Sequence, residues 1–134
     1  MTDRAVIEDL IKHAYETRDS GNVDAIVALF LPDGHFVLAG SPAATAVAGT
    51  ARGHEELRGA LAGLVAGFEF VRRDCLSVVI DGDQAAVHSR VTLRFIPNNK
   101  TVTTDLLDLF KFADGKISEL VEFADTALVN DLMR

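Results

Sequence analysis

The sequence predicts an α+β fold in which three helices come first and pack on one face of a curved, mainly antiparallel sheet. Three observations carry this. Up to about Gly67 the apolar residues recur at three and four positions, the helical period. From Phe68 onward, runs rich in Val, Leu, Phe and Thr take over. Those runs are separated by Asp81-Gly82, Pro97-Asn98-Asn99 and Asp114-Gly115, all turn signals.

The first helix carries Ile7, Leu10, Ile11 and Ala14 as a stripe, with Arg18 at its edge. Asp19-Ser20-Gly21-Asn22 breaks it, and Asn22 serves as N-cap of a second helix with Asp24 in its first turn. Val23, Ile26, Val27 and Phe30 form that helix's apolar face, and Pro32-Asp33-Gly34 is expected to stop it. His35 to Leu38 reads as a short strand. Ala39 to Gly53 is nearly all Ala, Gly, Ser and Thr, and reads either as a loop over a cavity mouth or as a plain connector. A third helix follows from about His54, with Leu57, Leu61, Leu64 and Val65 inward and Gly67 as its end. Four strands then cover about Phe68–Ile80, Gln84–Ile96, Thr101–Phe112 and Lys116–Ala124, and Thr126–Met133 reads as a closing helix.

The chain has 134 residues, a length expected to form one domain over 1–134 with no linker or internal repeat. Hydrophobic residues are 49% and charged residues 25%, an ordinary globular balance. Thirteen basic and 20 acidic residues give a net charge of −7, which repels a polyanion and argues against a nucleic-acid partner. The lone Cys75 excludes an intramolecular disulfide and is expected to be a buried or half-buried strand residue. No apolar run approaches the ~18 residues of a membrane span, and Met1-Thr2-Asp3-Arg4 does not open a signal peptide, so a cytoplasmic setting is expected.

Asp108 is the most informative residue. It is one acid within Leu106-Leu107-Asp108-Leu109-Phe110, apolar on both faces. Burial there disfavours the carboxylate and raises its pKa, so the group either works as an acid or hydrogen-bonds for structure. Gln84–Arg94 alternates, with Gln84, Ala86, His88, Arg90, Thr92 and Arg94 on one face and Ala85, Val87, Ser89, Val91 and Leu93 on the other. The polar face suits solvent, a wet dimer contact, or a cavity wall in which His88 and Arg90 bind a carbonyl or anionic substrate. Glu122 alternates with Leu120 and Ala124 near the end of the last strand, close to Asp125. The four histidines show no metal-ligand spacing, and neither a Gly-rich phosphate loop nor a nucleophilic serine elbow is present, so neither metal nor cofactor is expected.

Two segments resemble a known superfamily. Arg18-Asp19-Ser20-Gly21-Asn22-Val23-Asp24-Ala25-Ile26-Val27-Ala28-Leu29-Phe30 is similar to the opening of NTF2-like proteins. Phe112 to Glu119, then Glu122 to Val129, resembles the close of their SnoaL-like, ketosteroid-isomerase-related branch. The resemblance implies an NTF2-like cone: three N-terminal helices wrapped by a strongly curved sheet around a cavity, commonly as a homodimer. It also implies an isomerase, polyketide cyclase, dehydratase, epoxide hydrolase or binding module. Asp108 falls where ketosteroid isomerases keep a hydrogen-bonding acid, while their base position falls near Leu38. Their pocket tyrosines fall near Ala14, Phe30 and Leu61, and a shift of one brings Tyr15 to the first place. The Arg-Asp-Asp trio of limonene-type epoxide hydrolases falls on Arg90, Thr92 and Glu122. The two alignments turn opposite faces of Gln84–Arg94 inward.

The resulting expectation is a SnoaL-like enzyme acting without a cofactor on a small, apolar, carbonyl-bearing molecule by acid–base chemistry. Asp108 is its acid, Glu122 or His88 its second proton-transfer group, and Arg90 its polariser. Phe30, Phe36, Leu38, Leu61, Phe68, Leu106 and Phe110 are the expected lining, with Tyr15 beside them. The alternatives are a non-catalytic ligand-binding or dimerisation module on the same fold, and an epoxide hydrolase.

Overall fold

The computed structural model describes residues 2–134. Helices α1 (Arg4–Asp19) and α2 (Val23–Ala28) come first, then strands β1 (Phe30–Leu38) and β2 (Gly49–Arg52). Helix α3 (Gly53–Gly67) leads into β3 (Phe68–Asp81), β4 (Gln84–Phe95), β5 (Lys100–Ala113) and β6 (Lys116–Ala124), and α4 (Thr126–Leu132) closes the chain. The strands form one curved sheet in the order β2-β1-β6-β5-β4-β3. No helix among the described residues is long and apolar enough to cross a membrane.

Local chemistry sets these boundaries. Asp3, Asn22 and Asp125 cap α1, α2 and α4 by accepting from Ala5, Ala25 and Leu128 N–H groups. Asp125 is thus a helix cap. The β5–β6 hairpin turns on Asp114 and Gly115, whose φ values of 52° and 72° match the right-handed strand twist. Gly82, at 59°, plays the corresponding part between β3 and β4.

Two sequence expectations change in the first half. The second helix ends at Ala28, and Pro32-Asp33-Gly34 lies inside β1 rather than stopping a helix. Here β1 slips register against its parallel neighbour β6, between Phe30 and His35. A Cβ on Gly34 would sit 3.0 Å from the carbonyl oxygens of Leu31 and Ile117, so glycine permits that close passage. The small-residue segment also supplies β2, which pairs antiparallel with β1.

The concave face of the sheet holds the core. Ile7, Leu10, Ile11 and Ala14 of α1 pack with Val87, Phe110, Phe112 and Ile117. A second cluster sits under α4: Phe68, Val91, Leu93, Leu106, Val129 and Leu132. Space between the two clusters forms the site. Cys75 is exposed, because the far end of β3 projects beyond the helices as a sheet edge.

Candidate functional site

Asp108 on β5 stands directly opposite Glu122 on β6. Facing residues of an antiparallel pair hold their Cβ atoms about 4.5–5.5 Å apart, so these two carboxyls must share one site. Asp108 shares its face with Leu106 and Phe110 and is only 2% exposed. Glu122 is half-buried, its carboxyl enclosed by the same walls.

Three side chains surround the pair. The Tyr15 hydroxyl, from α1, donates to Asp108 Oδ2 at 2.6 Å. Phe110 meets the Tyr15 ring edge-on at 6.1 Å between centroids and holds it in place. The Arg73 guanidinium, from β3, lies 4.3 Å from the centroids of both Tyr15 and Phe70. It is anchored by Asp19 at the end of α1, with Nε to Oδ2 at 3.0 Å and Nη2 to Oδ1 at 2.9 Å. Arg18 stacks on Phe70 at 4.6 Å and donates through Nη2 to the carbonyls of Leu64 and Phe68, at 3.3 and 3.2 Å.

Burial and mutual charge shift every one of these groups. Burial pushes the Asp108 pKa up, opposed by the Tyr15 hydrogen bond, Arg73 and the neighbouring Glu122 carboxyl. Glu122 is pushed up to about 8, first by burial, then by the charge of Asp108, against the pull of Arg73 and Arg18. Tyr15 also rises, through burial and then the Asp108 charge, and stays a hydroxyl. Burial opposes the charge on Arg73, but the hydrogen bonds and charge of Asp19 outweigh it and raise its pKa. Two like charges this close cannot both persist, so the pair holds one proton near neutral pH. The donors aimed at Asp108 favour its charge more than that of Glu122, so Glu122 is the member of the pair better suited to keep a proton. Asp108 Oδ1 is buried without a hydrogen-bond partner and is the acceptor open to a proton from Glu122.

The site opens through three adjoining spaces. An inner chamber of about 50 Å³ is lined by Tyr15, Arg18, Arg73, Asp108 and Glu122, with Phe30, Phe36, Leu61 and Phe110 among its apolar walls. A neck of about 60 Å³ shares Arg18, Leu64, Phe70 and Glu122 with it and adds Leu38, Phe68 and Leu106. A mouth of about 450 Å³ shares Leu38, Val47, Leu64 and Phe68 with the neck, and Ala46 to Ala51 form one of its sides. The small-residue segment therefore does border a cavity mouth.

The structure brings Asp108, Glu122, Tyr15 and the apolar lining residues together. It does not bring His88 or Arg90. Ala85, Val87, Ser89, Val91 and Leu93 fill the inward positions of β4, so the alternate positions face outward. His88 Nε2 and Arg90 Nε meet Asp105 Oδ2 and Oδ1 there, each at 2.9 Å. Arg90 and then His88 hold Asp105 below the usual carboxylate range. Thr92 pairs with Thr103 on that outer face at 3.0 Å, so the epoxide-hydrolase trio is not assembled. Leu38, at the isomerase base position, lines the neck without a titratable group.

Sequence reasoning missed Arg73, Asp19 and Phe70, and left Arg18 as the edge of a stripe. Simple alternation from Phe68 and Phe70 points Arg72 inward. A register shift after Phe70 turns Arg73 in instead, opposite the buried Val91. Among the described residues no group of three or more His, Cys, Asp or Glu side chains is placed to hold a metal ion.

A sequence model of the SnoaL-like domain matches residues 11–120. No curated protein matches. Among solved structures, an NTF2-like protein from Burkholderia xenovorans LB400 is 20% identical, covering 100% of this chain and 99% of its own, with a TM-score of 0.83. A protein from Jannaschia sp. CCS1 described as a SnoaL-like polyketide cyclase is 19% identical over 99% of this chain and 97% of its own, at 0.78. One from Rhodopseudomonas palustris described as an isomerase is 15% identical over 100% of both chains, at 0.81. At these identities the likeness is one of fold.

Proposed function

We propose, from the premise that the chain belongs to the SnoaL-like domain family, that it is a small-molecule enzyme moving a proton on an apolar, carbonyl-bearing substrate. The observation that carries this is the buried Asp108–Glu122 pair at the end of an apolar cavity, with Tyr15 donating into Asp108. Glu122 lines both chamber and neck whereas Asp108 lines only the chamber. Glu122 therefore meets the substrate and Asp108 backs it. With its pKa pushed up to about 8, Glu122 keeps its proton at neutral pH and gives it to a carbonyl oxygen as that oxygen gains charge. The pair's deprotonated form takes a proton from the carbon beside the carbonyl. An isomerisation runs both steps to the enol, then returns a proton from the pair to a different carbon while the enol oxygen gives its proton back to the pair. Ring closure by an enol carbon uses the first together with loss of a C–H proton. The names of the Rhodopseudomonas and Jannaschia proteins are consistent with these two classes.

The test is hydrogen–deuterium exchange at the α-carbon of a panel of enolisable ketones in D₂O, followed by NMR. The protein is expected to accelerate exchange of at least one, and Glu122→Gln to lower that rate about 10²-fold or more. Binding without exchange across the panel contradicts turnover and supports a ligand-binding module.

The assembly is expected to be a homodimer through the outer sheet face. Leu107 lies beside Phe123 and Leu109 beside Val121 on that face, and Val79 extends the patch. Leu107, Leu109, Phe123 and Val79 are 39–60% exposed, an apolar surface suited to a partner. Light scattering at micromolar concentration is expected to give twice the chain mass, and a monomer alone contradicts the reading.

A further inference from the structure

We infer that Arg18 is an oxyanion receptor, so that the substrate is a mainly apolar molecule carrying one carboxylate or ionised enol. This rests on the chamber being the substrate site, as proposed above.

Arg18 stands where chamber and neck meet and lines both. Its protein partners are the carbonyls of Leu64 and Phe68 at the end of α3, reached by Nη2 alone. Among the described residues no carboxylate lies within ion-pair distance of it. Burial accordingly lowers its pKa, with only the more distant charges of Glu122 and Asp19 opposing. A guanidinium in an apolar space with no carboxylate paired to it is costly to leave so. A ligand oxyanion supplies one.

The arrangement is also built for reception. Phe70 and the carbonyls of Leu64 and Phe68 fix the plane of Arg18, so little freedom is lost when a planar oxyanion docks on its fork. A second donor waits close by: Arg73 Nη1 is buried without an acceptor while the other Arg73 nitrogens are held by Asp19. Leu38, Phe68, Leu93 and Leu106 wall the neck, so the rest of the ligand must be apolar. The alternative is that Arg18 only caps the C-terminal end of α3.

Calorimetric titrations at pH 7 with two matched pairs separate these readings. In each pair the first compound is ionised and the second is a neutral analogue: 4-hydroxycoumarin with coumarin for the enol, and 2-naphthoate with 2-naphthamide for the carboxylate. At least one anion is expected to bind tenfold or more tightly than its neutral partner, and which one identifies the oxyanion. Arg18→Met is expected to bring that ratio within twofold. Should Arg18→Met fail to fold, Arg18→Lys, which keeps the charge and loses the fork, is expected to cut the ratio at least threefold. Equal binding of anion and neutral partner overturns the inference, as does a ratio unchanged in the folded variant, or no binding by any of the four. The acid–base reading survives each of these results, since it stands on the exchange lost in Glu122→Gln.

Discussion

Asp108→Asn is expected to lower turnover about 10²–10⁴-fold while leaving the melting temperature unchanged or higher. The Tyr15 hydroxyl donates to Asp108 Oδ2, and Asp108 Oδ1 is buried without a partner beside the Glu122 carboxyl. Asparagine keeps the shape and offers one acceptor and one NH₂ donor. The NH₂ group then donates to Glu122, and the negative charge that had repelled a second one is gone. Both changes favour the Glu122 carboxylate, so Glu122 loses the proton it needs at neutral pH. Stability is held, because an amide replaces one buried acid and the site still carries a single buried carboxylate. The measurement is the exchange rate on the responsive ketone beside a thermal melt. Unaltered turnover with a melting temperature several degrees lower would assign Asp108 to structure alone.

Phe110→Ala is expected to cost about 3–5 kcal/mol, seen as a drop of roughly 10–20 °C in melting temperature. Phe110 is 1% exposed and stacks on Phe112 with centroids 5.6 Å apart. Its edge-on contact also holds Tyr15 against Asp108, so the loss reaches the site as well as the core. Lys111→Ala, one residue on and exposed, is expected to change the melt little. A comparable small shift for Phe110→Ala would contradict the packing described.

The second half of the fold was legible because two independent signals agreed there. Alternation put Val87, Val91 and Leu93 on one face, and turn residues at Asp81-Gly82 and Asp114-Gly115 fixed where each strand reversed. The first half was less so. Pro32-Asp33-Gly34 carries the chemistry of a helix stop, yet an irregular strand passes through it because β6 supplies hydrogen bonds from far along the chain. Gly49 to Arg52 has no strand signal of its own and is a strand only by pairing with β1. The site divided in the same way. Asp108 was visible because a lone acid stood in an apolar run, and Glu122 through its alternation with Leu120 and Ala124. His88 and Arg90 were misplaced because a polar strand face looks the same whether it meets solvent or substrate. Arg73 was hidden because a register shift reverses the parity that sequence reading depends on.

Asp108 and Glu122 are expected to hold one proton between them at neutral pH, resting on Glu122. NMR titration of the ¹³C-labelled side-chain carboxyls measures this directly. A Glu122 midpoint of about 8, far above its ordinary 4.5, is expected, falling in Asp108→Asn. A Glu122 carboxyl titrating near 4.5 in the wild-type protein would contradict it.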